Sequence, residues 1–167
     1  MKGSTYTNIT KGSAFSTAIS NHLLSLDMDK EKLSLRPLEE EDLKMLKEWW
    51  DFWRFPMPPR QMLPDNLKEN GVMVMHDGLP VCAGFIYGTS ASATFMLEFI
   101  VSNPFVKDRG IRKLCLKTLI KSVAEITKSY GGLVLYSTLA NRNLIKTYEE
   151  CGFTKGTTAY EMIMITQ

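Results

Sequence analysis

Apolar and polar positions fall into a regular pattern only from Lys32 onward. Leu33 and Leu35 alternate with Ser34 and Arg36 at the period of a strand, and Pro37 ends it. Glu39, Glu40, Glu41 and Asp42 place acids in a first helical turn, where they complement the helix dipole. Leu43, Leu46, Trp49 and Trp50 continue at helical spacing until Pro56, Pro58 and Pro59 break the helix. A second short helix or irregular segment follows, to about Asn70. The apolar runs 71–76 and 79–87 flank Asp77-Gly78, a pair that favours a tight hairpin turn. The run 94–101 reads as a central strand, ended by Asn103-Pro104. Gly110 opens the longest amphipathic stretch, in which Ile111, Leu114, Cys115, Leu119, Val123 and Ile126 mark one buried helix face. Gly131-Gly132 stops that helix. A strand over 133–138, a helix from Asn141, a strand opening at Phe153 and an alternating strand over 159–166 complete the order β-α-α-β-β-β-α-β-α-β-β. This order predicts an α/β domain (α+β mixed) with helices on both faces of a mixed sheet.

Residues 1–30 differ from the rest, being rich in Ser and Thr with one apolar cluster over 19–26. They read as a partly ordered arm with one short helix between 13 and 26, ahead of a single domain over 31–167. Hydrophobic residues make up 44% of the 167 and charged residues 23%, the balance of a soluble globular chain. The net charge of +2 argues against a dedicated nucleic-acid binder, which needs a dense basic face. No apolar run approaches the roughly 20 residues that span a bilayer, and no apolar stretch follows the basic residues of the N-terminus. Cys82, Cys115 and Cys151 sit unpaired in apolar surroundings, as thiols of a reducing, cytoplasmic protein do. His22 and His76 have no ligand-spaced partners, so no metal site is expected.

Two segments carry candidate chemistry. In 101–112 a strand leads through a short loop into a long helix. Free backbone N–H groups at such a start form an anion site, a diphosphate being the natural guest. Lys107, Arg109 and Arg112 add positive charge there, and Gly110 allows close approach. An ordinary strand-to-helix turn with a solvated basic rim is the competing description. The second segment is 141–153, a short helix with Asn141 as a polar cap and Tyr148 one turn before the Gly152 stop. A tyrosine there can offer its O–H to a leaving group in a cleft, or be a core residue with a satisfied hydroxyl.

The pattern N-x-x-x-x-x-x-Y-x-x-x-G-F in this segment resembles the last helix of the GNAT-type acyl-CoA N-acyltransferases. Lys107-Asp108-Arg109-Gly110-Ile111-Arg112 resembles the family's Q/R-x-x-G-x-G/A pyrophosphate loop, with Lys107 in the Q/R place and Gly110 as the first glycine. Arg112 departs from the pattern, standing where the family has a second small residue. A long side chain there would crowd the diphosphate, or swing aside and contact a phosphate as a cation. Leu35-Arg36-Pro37 is similar to the opening strand of many members, so the resemblance spans nearly the whole chain after the arm.

The resemblance implies the acyl-CoA N-acyltransferase fold, a mostly antiparallel sheet of six to seven strands. It implies transfer of an acetyl group from acetyl-CoA to a primary amine by direct attack in a ternary complex, without a metal. The backbone of Phe99, Ile100 and Val101 would pair with the pantetheine arm, and residues 107–112 with the pyrophosphate. Asn141 would lie beside the cofactor arm, cap its helix, or do both. Glu98, the only acid in the apolar run 95–101, would act as general base, burial raising its pKa. A solvated position or a structural ion pair is its alternative. Tyr148 would be the acid for the departing thiolate. Trp50, Trp53, Arg54 and Phe55 would wall the acceptor site, although about half of the local rings are expected to pack α-helix on sheet. Lys113, Lys117 and Lys121 read as a solvated helix face, with Lys113 in reach of the 3′-phosphate of CoA. The partners are then acetyl-CoA and a small-molecule or protein amine, with room for a homodimer. The rival readings are a regulatory module that keeps the fold, and CoA, without turnover, and a protein-interaction module.

Overall fold

The computed structural model describes residues 32–158 and 162–164. The expected helix in 13–26 lies outside the described residues, as does most of the expected strand over 159–166. The elements are β1 (Leu33–Pro37), α1 (Asp42–Phe52), a 3-10 turn (Arg60–Met62), α2 (Leu67–Asn70), β2 (Gly71–His76), β3 (Leu79–Gly88), β4 (Thr94–Ser102), α3 (Arg109–Ser129), β5 (Val134–Tyr136) and α4 (Arg142–Glu150).

The strands form one sheet in the order β1-β2-β3-β4-β5. Every neighbouring pair is antiparallel except β4 with β5, which run parallel. The six to seven strands expected become five among the described residues. Residues 153–158, where a further strand was expected to open, pair with no strand among the described residues.

Helices cover both faces, which is why β2 and β3 read as continuous apolar runs instead of alternating ones. Val72 and Val74 point toward α3, where Leu119, Ile120, Val123 and Ile126 are buried. Met73, between them, points to the other face and packs with Leu46, Trp49 and Trp50 of α1. Each of these side chains contributes roughly 1.5–3 kcal/mol through removal from water. Among the described residues no helix is long and apolar enough to cross a membrane.

The turn from β1 into α1 is closed by charge. Arg36 donates from Nη1 and Nη2 to the two carboxylate oxygens of Asp42, both at 2.7 Å, and Glu39 N–H donates to Oδ2 at 2.9 Å. Burial works against the charged carboxyl, but these donors hold Asp42 below its ordinary range. A second charged fastening joins α3 to α4, where Lys113 and Lys117 reach Glu150 Oε2 at 2.9 and 2.8 Å. Lys113 and Lys117 therefore do not form a merely solvated face. Their shared acid turns α4 toward α3.

Hydrogen bonds from Lys117 and Lys113 hold the Glu150 carboxyl down to about 2, against an ordinary value of 4.5. A depressed carboxyl contributes stability that is complete above its ordinary value and lost as pH falls through its folded value. Thermal melts between about pH 4.5 and 2 are expected to show Glu150→Gln losing less stability on acidification than the parent protein. Parallel acid limbs for the two proteins would contradict this. The difference shrinks in high salt, because the pairs are solvent-accessible.

Candidate active site

One irregularity in the sheet sets the site. Ala83 pairs with Val101 and Phe85 with Glu98, so Gly84 stands opposite two residues, Phe99 and Ile100. This is a β-bulge. Phe99 takes a φ of 53°, a conformation uncommon for a residue with a Cβ. The extra residue resets the alternation of faces. Leu97 packs with the α3 core, whereas Val101, four residues on, packs with the α1 core. Glu98 shares a face with its cross-strand partner Phe85, and Phe99 lies on that same α1 side.

A second feature follows directly. β4 and β5 pair only through Thr94–Val134, Phe95–Leu135 and Met96–Tyr136, after which the strands part. Side chains bridge the start of the opening. Ser137 Oγ donates to the Leu97 carbonyl, and Thr138 donates from both N–H and Oγ1 to Glu98 Oε1 at 2.8 Å each. Glu98 is half-buried, and these donors fix the direction of its carboxylate.

Tyr148 of α4 approaches the opening from the α3 side, its Oη 3.0 Å from Ser137 Oγ and its ring edge-on to Phe153 at 4.8 Å. Serine has one proton, and a carbonyl can only accept. With that proton given to Leu97, the Tyr148 O–H is the donor to Ser137. Tyr148 is 2% exposed, and its hydroxyl partner Ser137 is half-buried. Burial first, with the charge of Glu98 adding to it, pushes the Tyr148 phenol far above its ordinary 10, the Ser137 hydrogen bond acting the other way. On the α1 side Tyr87 donates to the Met62 carbonyl at 2.7 Å and meets Phe99 edge-on at 6.2 Å. Its phenol is likewise raised by burial and then by Glu98.

The loop between β4 and α3 is anchored by Asn103, whose Nδ2 donates to Pro80 O at 2.8 Å and whose Oδ1 accepts from Phe105 N–H at 2.9 Å. Asp108 caps α3, its Oδ1 accepting from Gly110 N–H at 2.7 Å and Ile111 N–H at 3.1 Å. The expectation of free amides at the helix start is thus corrected for these two residues. Among the described residues the amides of Lys107, Asp108 and Arg109 carry no intramolecular partner, and Lys107 and Arg109 make no ion pair. Arg112 donates to the Val106 carbonyl and lies over the Trp53 ring, 5.9 Å from its centroid. Asn141 caps α4, accepting from Asn143 N–H at 2.9 Å and Leu144 N–H at 3.1 Å.

The aromatic cluster divides. Trp50 is 3% exposed and stacks on Phe85, with ring centroids 6.1 Å apart, so it is a core residue and no wall of an acceptor site. Trp53 and Phe55 are 39% and 57% exposed, and Trp53 Nε1 donates to Ser102 O at 2.7 Å. Arg54 between them is exposed at a φ of 58°.

No protein-family model and no curated protein matches the sequence. Solved structures match it through their fold. The ribosomal-protein-S18-alanine N-acetyltransferase of Escherichia coli is 18% identical with a TM-score of 0.57, over 75% of this chain and 79% of that one. An aminoglycoside N-acetyltransferase in complex with CoA is 17% identical with a TM-score of 0.50, over 79% and 94%. A transcriptional regulator from Bacillus halodurans is 16% identical with a TM-score of 0.58, over 79% and 99%. This chain has the GNAT acyl-CoA N-acyltransferase fold.

On this GNAT fold the parted strands, the loop ahead of α3 and the Tyr148 helix lie along one side of β4 and its continuation. Free amides and unpaired cations at 107–109 fit a diphosphate, whereas the Asp108 carboxylate must turn away to release two more donors. Sequence reasoning missed Tyr87, Ser137 and Thr138. The available signal was weak, a pair of hydroxyl residues where the β5 run ends.

A raised phenol pKa contributes stability that is present below the ordinary value and lost as pH climbs past it. Alkaline titration followed by phenolate absorbance is therefore expected to find Tyr87 and Tyr148 silent until the fold opens. Tyr148→Phe and Tyr87→Phe should each remove absorbance only from that late step. Loss from the early step would contradict the buried setting of these hydroxyls.

Proposed function

We propose that this protein is an acetyl-CoA-dependent N-acetyltransferase that acylates a primary amine by direct attack within a ternary complex. The observation that carries the reading is the opening between β4 and β5, with a carboxylate on one side and a phenol–serine pair on the other. Acetyl-CoA, held by the backbone of residues 99–101 and 107–109 with Lys107 and Arg109 at its diphosphate, supplies an activated thioester.

A protonated amine is no nucleophile, so a base has to receive its proton. Glu98 fills that role from the α1 face, its direction set by Thr138. As the carbon–nitrogen bond forms and the carbon–sulfur bond breaks, the sulfur needs a proton. Tyr148 stays protonated throughout the neutral range and delivers it through Ser137, which regains one from the phenol. Asn141 fixes the helix that carries Tyr148. Trp53, Arg54 and Phe55 present the acceptor wall, and the free thiols Cys82, Cys115 and Cys151 accord with a reducing cytoplasm.

A second reading has a specific observation behind it. Asp108 and Arg112 occupy groups at the helix start that a diphosphate would use, and a regulator stands among the matched structures. A CoA-binding module without turnover accounts for both facts. Cofactor binding with no free CoA released on any amine class would establish it against the enzymatic reading.

Acetyl-CoA at millimolar concentration is expected to raise the melting temperature by ligand linkage. In a CoA-release screen over amine classes, Tyr148→Phe and Ser137→Ala should each lower turnover by about 100-fold or more, the scale of acid–base catalysis. Glu98→Gln should do the same with cofactor affinity kept. An unchanged melt, or equal turnover in all three variants, would rule the mechanism out.

A further inference from the structure

The geometry points to Arg112 as a positioning residue that couples occupation of the loop ahead of α3 to the aromatic wall at the end of α1. The inference rests on the acyl-CoA reading above and concerns the regulation of that same site. Arg112 makes two contacts at once. It donates to the Val106 carbonyl, within the loop, and it covers the Trp53 ring at 5.9 Å, inside the range of a cation–π contact. Trp53 in turn is tied to the last residue of β4 through the Ser102 carbonyl at 2.7 Å. Phe52 fills the space beside it, 5.2 Å from Trp53 and 6.2 Å from Phe105 of the loop. One guanidinium therefore joins the anion loop, the exit of β4 and the acceptor wall.

A neutral carbonyl is a weak claim on a guanidinium beside a diphosphate. Charge-assisted, bidentate pairing is about twice as strong as a neutral hydrogen bond, and the planar fork of arginine matches phosphate oxygens. A diphosphate bound at the amides of 107–109 draws Arg112 off Val106 and off the indole. Trp53 then keeps its bond to Ser102 and its edge contact with Phe52 but loses the cover over its ring, which reshapes the wall. The loop thereby reports to the acceptor side that the cofactor is in place. A small residue at 112 has no means of doing so. A lysine supplies the charge without the planar face that covers the ring.

The indole itself is the reporter. Trp49 and Trp50 are 1% and 3% exposed, so of the three tryptophans only Trp53, at 39%, stands where its surroundings change. The test is a titration of tryptophan emission with CoA on the parent protein, Arg112→Lys, Arg112→Ala and Trp53→Phe, with affinity measured separately by calorimetry. The parent is expected to show a saturable change in emission that follows the calorimetric isotherm and vanishes in Trp53→Phe. Arg112→Ala should bind CoA several-fold more weakly and give no emission change. Arg112→Lys should recover most of the affinity while remaining silent in emission, a split that a merely structural role would not produce. Calorimetric binding with the same emission change in the parent and Arg112→Lys, or with no change in the parent, overturns the coupling alone. Absence of calorimetric binding in the parent overturns the coupling together with the cofactor reading.

Discussion

The arrangement of the site depends on holding one phenylalanine where glycine would sit more easily. Phe99 at a φ of 53° carries a local cost of roughly 1–2 kcal/mol, which the surrounding packing has to exceed. Tyr87 braces its ring edge-on, and the α1 core takes its side chain. What the bulge achieves is a change of face in mid-strand. Leu97 and Ile100 serve the α3 core, while Phe99 and Val101 serve the α1 core. Glu98 is thereby set on the α1 side of the opening, and Ser137 with Tyr148 on the other. A carboxylate and a phenol–serine pair thus face one opening from opposite faces of the sheet.

The helix start ahead of α3 illustrates a different balance. A helix N-terminus without a guest exposes several donors, and Asp108 satisfies two of them while placing negative charge against the dipole. Its side chain sits on the surface, so freeing those two amides requires rotation of one short carboxylate and no movement of the core. Among the described residues Lys107 and Arg109 beside it make no ion pair.

Much of this was readable in the residues themselves. The hairpin at Asp77-Gly78, the amphipathic helix stopped at Gly131 and the capping of α4 by Asn141 are local, and local chemistry decides them. The division of labour between Trp50 and Trp53 was less visible. Both continue the apolar stripe of α1, but the helix ends at Phe52, so the next indole leaves the stripe and turns outward. The bulge left no mark at all, because a run of apolar residues from Phe95 to Val101 suits either face and hides the switch. Ser137 and Thr138 gained their roles from residues forty positions earlier on β4, a distance that no local pattern spans. Asp108, expected with its neighbours at a pyrophosphate, is the N-cap of α3. An acid immediately before a helix is the common capping signal, and it fills the amides that the basic residues around it suggested were empty.

The turn that ends α1 has its own consequence. Trp53, Arg54 and Phe55 fold back on the last carbonyls of the helix, and Arg54 supplies the left-handed residue that such turns usually assign to glycine. The corner is thus slightly uncomfortable and lies outside both cores. Under the proposed function, substitutions at Arg54 and Phe55 alter the contour offered to an amine, and neither residue belongs to the bulge or to the Glu98 and Tyr148 contacts. On that reading, selectivity for the acceptor is free to drift over generations more quickly than the groups that move protons.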